Sequence, residues 1–415
     1  MPQIDPAACL QPALYPALGP ISPIGRMNTK TITFQRLSHL AHADGLRVLR
    51  TTELAPLLAS VKALETWQES GFAGEMRYMG GQAKDRAELL KFLPSARSAV
   101  SFALFYSRQA HPPLEIGHGR VARYAWGLDY HTVFPGRLER LVRRVAEELG
   151  PIEARVYSDA VPLLERALAQ RAGVGFVGNN TLLIRPGEGS FFLLGEIFWN
   201  IDVVDQPEAP KMRGCGTCRR CLTDCPTGAL VANRVLDARL CLAYLNIEKR
   251  GMLSHQERKA LGEWVFGCDI CQEVCPFNHA PLKRAAESDA AELDAKQGVG
   301  PLLKLSEVLS IRSVSQWKQR FGKTALERAR RAGLIRNAAC VAVNMGYADL
   351  APELSDAALH DPAPTVRATA LWAVVALAQR GILGQSLARA LQRKVRQDIS
   401  AEMQTELRAI ELGNI

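Results

Sequence analysis

Eight cysteines fall between Cys215 and Cys275, and their spacing is that of a metal centre. The first four read Cys215-Gly-Thr-Cys218-Arg-Arg-Cys221-Leu-Thr-Asp-Cys225-Pro226, a C-x2-C-x2-C-x3-C-P run. In such a run three thiolates hold one [4Fe–4S] cubane and the fourth belongs to a second cluster. The next group, Cys268-Asp-Ile-Cys271-Gln-Glu-Val-Cys275-Pro276, is one ligand short. Val265 stands where a symmetric motif has its first cysteine, and Cys241 is the nearby replacement. The eight thiolates then divide as Cys215, Cys218, Cys221 with Cys275, and Cys225 with Cys241, Cys268 and Cys271. Four-cysteine zinc sites also use C-x2-C pairs and are the competing reading, but three cysteines at this spacing followed by x3-C-P favour two [4Fe–4S] clusters. Cys9 reads as a disordered thiol and Cys340 as a small buried hydrophobe. Paired clusters deliver single electrons, so an acceptor is expected next to them.

The elements upstream must hold that acceptor. Ala99 to Tyr106, Thr181 to Ile184 and Phe191 to Leu194 read as strands, and Arg137 to Leu149 and Leu163 to Ala172 as helices. An α/β or α+β unit over residues 27–205 follows, with a ferredoxin-like unit over 206–290. Gly173-Val-Gly175-Phe-Val-Gly178 matches the dinucleotide fingerprint, yet a helix precedes it and a strand follows, the reverse of what phosphate binding requires. Those glycines turn the chain or let its backbone approach a flat ligand. Two stretches are unusually polar: Arg123-Tyr124-Ala125-Trp126-Gly127-Leu128-Asp129-Tyr130-His131, and Tyr157-Ser158-Asp159 leading into Pro162-Leu163-Leu164-Glu165-Arg166. Asp159 reads equally well as a helix cap, with Pro162 in the first turn, and His131 as a structural histidine.

The 415 residues are 47% apolar and 22% charged, with a formal charge of +9, which excludes wholesale disorder. No stretch approaches the ~18–20 apolar residues that cross a bilayer, so no membrane association is expected. Residues 1–26 carry neither a secretory nor a twin-arginine pattern. They read as a disordered leader, or as sequence preceding a true start at Met27, and the expected location is the cytoplasm.

Together these residues resemble the epoxyqueuosine reductases, cobalamin- and iron–sulfur-dependent enzymes of tRNA modification. The resemblance covers nearly everything after Met27. It rests on Arg123 to His131, Asp159 with Pro-Leu-Leu-Glu-Arg, the Gly178-Asn179-Asn180-Thr181 turn, the eight cysteines and Tyr244-Leu245-Asn246-Ile247-Glu248. It implies reduction of the epoxide of epoxyqueuosine to an alkene at the tRNA wobble base, the final step of queuosine synthesis. Cobalamin would be recharged by the two clusters from an external electron donor. Asp159 matches the family's proton donor, and Arg123, Asp159, Asn180 and Thr181 would line the corrin pocket. Asn179 stands where family members commonly carry Lys. As an acid, Asp159 would need burial against the corrin to outweigh a helix dipole. A reductive dehalogenase-like corrinoid enzyme and a ferredoxin-type electron-transfer module are the rival readings.

The last third is helical and basic. Ile335-Arg336-Asn-Ala-Ala339-Cys340 and Val366-Arg367-Ala-Thr-Ala370-Leu371 repeat one phrase 31 residues apart. This resembles HEAT-type hairpins over 301–415, which should dock on the ferredoxin-like unit because two copies rarely stand alone. From Pro301 to Ile415 there are 16 Lys/Arg against 10 Asp/Glu. Such residues are commonly a solvated face; with a tRNA substrate implied they become an electrostatic footprint. Arg330 and Arg331, with Lys249 and Arg250 nearer the clusters, are the expected tRNA contacts. A monomer is expected.

Overall fold

The computed structural model describes residues 30–413 except 81–82, 87, 107, 160, 210–211 and 285–288. The leader at 1–26, with Cys9 and Met27, lies outside the described residues.

A four-stranded antiparallel sheet organises the first half, in the order Arg47–Thr52, Ser98–Phe105, Phe192–Trp199, Ala154–Tyr157. Every residue of Ser98–Phe105 is buried, as an almost unbroken apolar run in the middle of a sheet requires. Its polar exceptions are satisfied: Ser98 Oγ donates to the Ile201 carbonyl at 2.8 Å and accepts from Trp199 Nε1 at 2.8 Å. The helix Tyr130–Leu149 covers one face. Phe134 and Leu138 press so close to Gly195 that a side chain there would collide with them. The short helix Glu165–Arg171 covers the other face through Leu168 and Ala169. With its strands antiparallel, this part is α+β.

The long helix begins at Tyr130, seven residues before the expected start, because Asp129 caps it by accepting from the His131 N–H at 3.0 Å. Pro135 lies inside it without ending it. The strand expected over Thr181–Ile184 shrinks to Leu183–Ile184, since Thr181 has φ +66° and belongs to the turn of a hairpin with Phe176–Val177. The fingerprint glycines serve that hairpin: a Cβ on Gly175 would strike the Ile184 carbonyl, and one on Gly178 the Ile184 side chain.

A second sheet gathers three distant stretches. His118–Val121 pairs in parallel with Trp264–Phe266 and antiparallel with Leu302–Lys304. One continuous apolar core runs on from there into the carboxyl-terminal helices Arg330–Met345, Ala351–His360, Pro364–Gln379, Gln385–Val395 and Ala401–Glu411. Pro364–Gln379 touches the other four and is apolar on nearly all sides, which is why it sits at their centre. Gly346, at φ +71°, closes Arg330–Met345 in the left-handed conformation.

The repeated phrases dock differently. Arg336 is buried and donates to the carbonyls of Leu245, Lys249 and Gly251 at 2.8–2.9 Å, while Asn337 donates to those of Asn246 and Val265. Arg367, the counterpart of Arg336, pairs instead with Asp398 at 2.6 Å. One copy therefore grips the segment after Cys241, and the other holds the helical layer together.

Candidate active site

The eight thiols between Cys215 and Cys275 are free and come from three stretches, 215–225, Cys241 and 268–275. Burial pushes the Cys221 thiol up to about 11, and Cys275, Cys215 and Cys218 are the neighbours that raise it further. Cys268 is raised by burial and then, beside Asp269, by Cys241 and Cys225; Cys271 by burial and then by Cys268 and Cys241. Cys221 also acts on Cys271, so the two groups adjoin. A single zinc, with Zn–S bonds of ~2.3 Å, draws its sulfurs to within about 3.8 Å of one another. Among the described residues no set of three cysteines has its sulfurs within 4.8 Å of one another.

Asp159 lies at the end of the strand Ala154–Tyr157, past Ser158, with φ +52°. Its own N–H donates to Glu165 Oε1 at 2.7 Å, which ties the strained turn to the first residue of the next helix. Asp159 does not cap that helix: Leu164 occupies the cap position, and Pro162 precedes it. The carboxylate accepts from the Tyr130 hydroxyl at 2.6 Å, and His131 Nε2 is 3.6 Å from the same oxygen. His131 Nδ1 in turn meets Asp129 Oδ1 at 2.8 Å.

These contacts set the protonation states. Burial is the largest influence on Asp159 and pushes its pKa up, but hydrogen bonds from His131 and Tyr130, with the charges of His131 and Arg328, outweigh it. The carboxyl sits below its ordinary range, contrary to the expectation that desolvation wins. Burial lowers His131, yet its hydrogen bonds to Asp129 and Asp159 prevail and raise it to about 9. Glu165 is pushed up to about 8 by burial and then by the charge of Asp159. Although protein surrounds Asp159, its side chain keeps 62% of its exposure. It is therefore open to solvent rather than sealed in the wall of a closed cavity. A cavity of about 380 Å³ lies elsewhere, lined by His111, Arg123, Trp264 and Glu273 among others.

The Gly178–Thr181 turn links the Asp159 turn to the cysteines. The Asn179 N–H reaches Cys215 Sγ at 3.3 Å, and its amide donates to the Cys218 carbonyl at 2.8 Å. Asn180 Nδ2 donates to the Cys271 carbonyl at 3.3 Å. The Thr181 carbonyl accepts from Arg166, the neighbour of Glu165. Asn179 is buried, so the side chain that replaces lysine serves the Cys215–Cys221 loop.

Several expected contacts are corrected. Arg123 is 2% exposed and faces the cysteines: its N–H and Nη1 donate to Asp269 Oδ2 at 2.8 and 2.9 Å, and Nη1 also meets Glu273. A buried guanidinium needs such partners, and Nε, Nη1 and the backbone N–H are engaged within the chain. The same arginine fills the one compact set of potential cation ligands among the described residues, His111, Asp269 and Glu273. Arg331 is buried and pairs with Asp361 at 2.7 Å, so it is a brace between helices and not a tRNA contact. Lys249 is held by Glu257 at 2.6 Å, and Arg250 donates to the carbonyls of Ile247, Arg328 and Ala329. Arg330 alone of the four is exposed with no side-chain partner among the described residues, and its backbone is strained at φ +60°, ψ 161°. Sequence reasoning gave no role to Tyr78 or Glu165. Tyr78 carries no motif, and Glu165 entered only as one letter of the Pro-Leu-Leu-Glu-Arg stretch.

The donor set fits the clusters that the sequence implies, with eight free thiols, and Asp159 keeps a solvent-exposed carboxyl. Residues 86–160 match the family model described as Epoxyqueuosine reductase QueG, DUF1730, and residues 214–278 a 4Fe-4S double cluster binding domain. An epoxyqueuosine reductase of Xanthomonas campestris pv. campestris is 35% identical over 329 residues, 77% of this chain and 88% of that protein. One of Synechocystis sp. is 38% identical over 281 residues, 67% and 94% of the two chains. A solved epoxyqueuosine reductase with a tRNA-Tyr epoxyqueuosine-modified tRNA stem loop has a TM-score of 0.80 and 28% identity, over 91% of this chain and 98% of that one. The Bacillus subtilis enzyme, with a catalytic aspartate loop swung out of the active site, has a TM-score of 0.79 and 28% identity over the same shares. The chain carries a double-cluster domain and belongs to the epoxyqueuosine reductase family of oxidoreductases.

Proposed function

We propose that this enzyme reduces epoxyqueuosine to queuosine at the wobble position of tRNA, as the last step of queuosine synthesis, in the cytoplasm and as a monomer. Its cofactors are two [4Fe–4S] clusters and cobalamin. Cys215, Cys218, Cys221 and Cys275 hold one cluster; Cys225, Cys241, Cys268 and Cys271 hold the other. Asp159, Asn180 and Thr181 border the corrin. Residues 27–205 form the cobalamin-binding unit, 206–290 the ferredoxin-like unit and 301–415 HEAT-like repeats.

One observation carries this reading. A single short frame, from Asp159 through Glu165, Arg166 and Thr181 to Asn180 and Cys271, joins the carboxyl to the cysteine groups. Proton source and electron path thus share one support. Removing the epoxide oxygen takes two electrons and two protons: both C–O bonds break, an alkene forms and the oxygen leaves as water. When bound, cobalamin would supply a low-valent cobalt centre able to open the ring, and the clusters would supply single electrons drawn from an external donor.

The chain's own groups handle the proton. Asp159 is open to solvent and delivers a proton to the departing oxygen. Its carboxylate takes that proton from solvent once a covering ligand raises its pKa, and until then the charged His131, 3.6 Å away, holds it ionised. Tyr130 fixes the carboxylate's orientation. A ligand covering Asp159 removes water from it and adds to the desolvation that already pushes its pKa up. The Asn179 N–H at Cys215 stabilises thiolate charge.

Deleting the gene tests the function. Accumulation of epoxyqueuosine in the tRNA nucleosides is expected, and an unchanged queuosine content would refute the assignment.

A further inference from the structure

Tyr78 presents a ring that is 48% exposed, and the Arg328 guanidinium lies 5.0 Å from its centroid. Glu248 holds that guanidinium edge-on, with Nε to Oε1 at 2.8 Å and Nη2 to Oε2 at 3.0 Å. Such a two-bond fork fixes the plane as well as the position. Glu248 is 17% exposed, while Arg328 keeps 49% of its surface open. Glu248 closes the π-helical turn Tyr244–Glu248 just after Cys241, a form that often marks functional sites. Arg250, from the same segment, donates to the Arg328 carbonyl at 3.0 Å and so fixes the backbone. The Tyr78 turn is pinned as well, by Arg86 donating to the Tyr78 carbonyl at 2.9 Å and by Gln68 donating to that of Met79.

Three stretches far apart in sequence thus build one flat, cationic, half-open stack. Surface arginines are normally mobile; this one is immobilised yet uncovered. The stack is built directly on the segment that follows Cys241, which supplies both Glu248 and Arg250. Arg330, exposed and unpaired, is two residues further along. An ordered guanidinium on an aromatic ring suits a flat, polarisable ring on a polyanion, which is the chemistry of an unstacked nucleobase in an RNA loop.

We propose that Tyr78 and Arg328 form a stacking platform for a nucleobase of the anticodon loop next to the modified base, with Arg330 meeting an adjoining phosphate. The base lies on the open face of Arg328, so that Tyr78, guanidinium and base make three layers. This rests on the tRNA reading above and deepens it: the platform holds the loop so that only the modified base reaches Asp159.

The test uses an anticodon stem-loop carrying 2-aminopurine beside the modified position, titrated with the holoenzyme. Stacking should quench the fluorescence with the wild type and with Tyr78→Phe. Tyr78→Ala and Arg328→Lys should lose the quenching, bind the stem-loop about tenfold more weakly, and raise KM while kcat at saturation is kept. Iron content and Tm equal to the wild type's show that the variants are folded. Wild-type binding without quenching, or wild-type quenching and affinity in Tyr78→Ala, overturns the platform alone. So does wild-type behaviour in Arg328→Lys, which keeps the charge and loses the plane. A wild type that does not bind the stem-loop overturns the tRNA reading and the platform together.

Discussion

The Tyr130 hydroxyl donates to Asp159 Oδ2 at 2.6 Å, and His131, one residue along the same helix, brings Nε2 to 3.6 Å from that oxygen. The carboxyl is therefore held by two donors from one helical turn. That turn exists because Asp129 Oδ1 both caps the helix, accepting from the His131 backbone N–H, and meets the His131 ring at Nδ1.

This arrangement fixes a pH dependence. The folded-state pKa of His131, about 9, lies above the unfolded value of roughly 6.5. Its contribution to stability is complete below about 6.5 and is lost as pH rises through about 9. Histidine NMR should record the raised value in the wild type and a lower one in Asp129→Asn and in Asp159→Asn. Tyr130→Phe should move the depressed Asp159 pKa upward, because a donor to its charged form is gone. An unmoved His131 titration in both aspartate variants would contradict the linkage.

Cys241→Ser tests how the thiols are shared. If Cys241 completes the set with Cys225, Cys268 and Cys271, iron should fall from about eight to about four atoms per chain. The cluster held by Cys215, Cys218, Cys221 and Cys275 should keep its EPR signal on reduction. Full iron content in the variant would remove Cys241 from the ligand set, and zinc in place of iron in anaerobically prepared wild type would remove the clusters.

The double-cluster domain was legible because a cubane's ligands follow local spacing, and the place of Cys241 among them is the expectation that Cys241→Ser tests. The surroundings of Asp159 were only partly legible. Tyr130 and His131 stand in a conspicuous polar stretch, but nothing local reveals that they meet a carboxyl at the end of another strand. The helix that Asp159 would cap starts later than Pro162 suggests, so the dipole argument had no helix end to act on. Arg123 passed for a ligand contact because a buried ion pair looks in sequence like any arginine near aromatics. Its partner Asp269 is hidden between two cluster cysteines. Tyr78 and Arg328 meet across 250 residues with no pattern in common.

Arg330 and Arg331 are neighbours that the sequence cannot separate, yet the structure gives them opposite fates. Arg330→Glu should weaken tRNA binding and flatten its salt dependence, with little effect on Tm. Arg331→Glu should leave Asp361 buried beside a like charge and cost several kcal/mol, roughly 3–5, read as a large fall in Tm. A salt slope unchanged in Arg330→Glu would move the RNA footprint elsewhere. An unchanged Tm in Arg331→Glu would contradict the buried brace.

The most direct test gives epoxyqueuosine-bearing tRNA to anaerobically prepared enzyme reconstituted with iron, sulfide and cobalamin, with a chemical reductant as electron source. Wild type should convert the nucleoside to queuosine. Asp159→Asn should retain the iron, the corrin absorbance and the affinity for tRNA while losing turnover. Conversion by Asp159→Asn at the wild-type rate, or by wild type lacking cobalamin, would contradict the account.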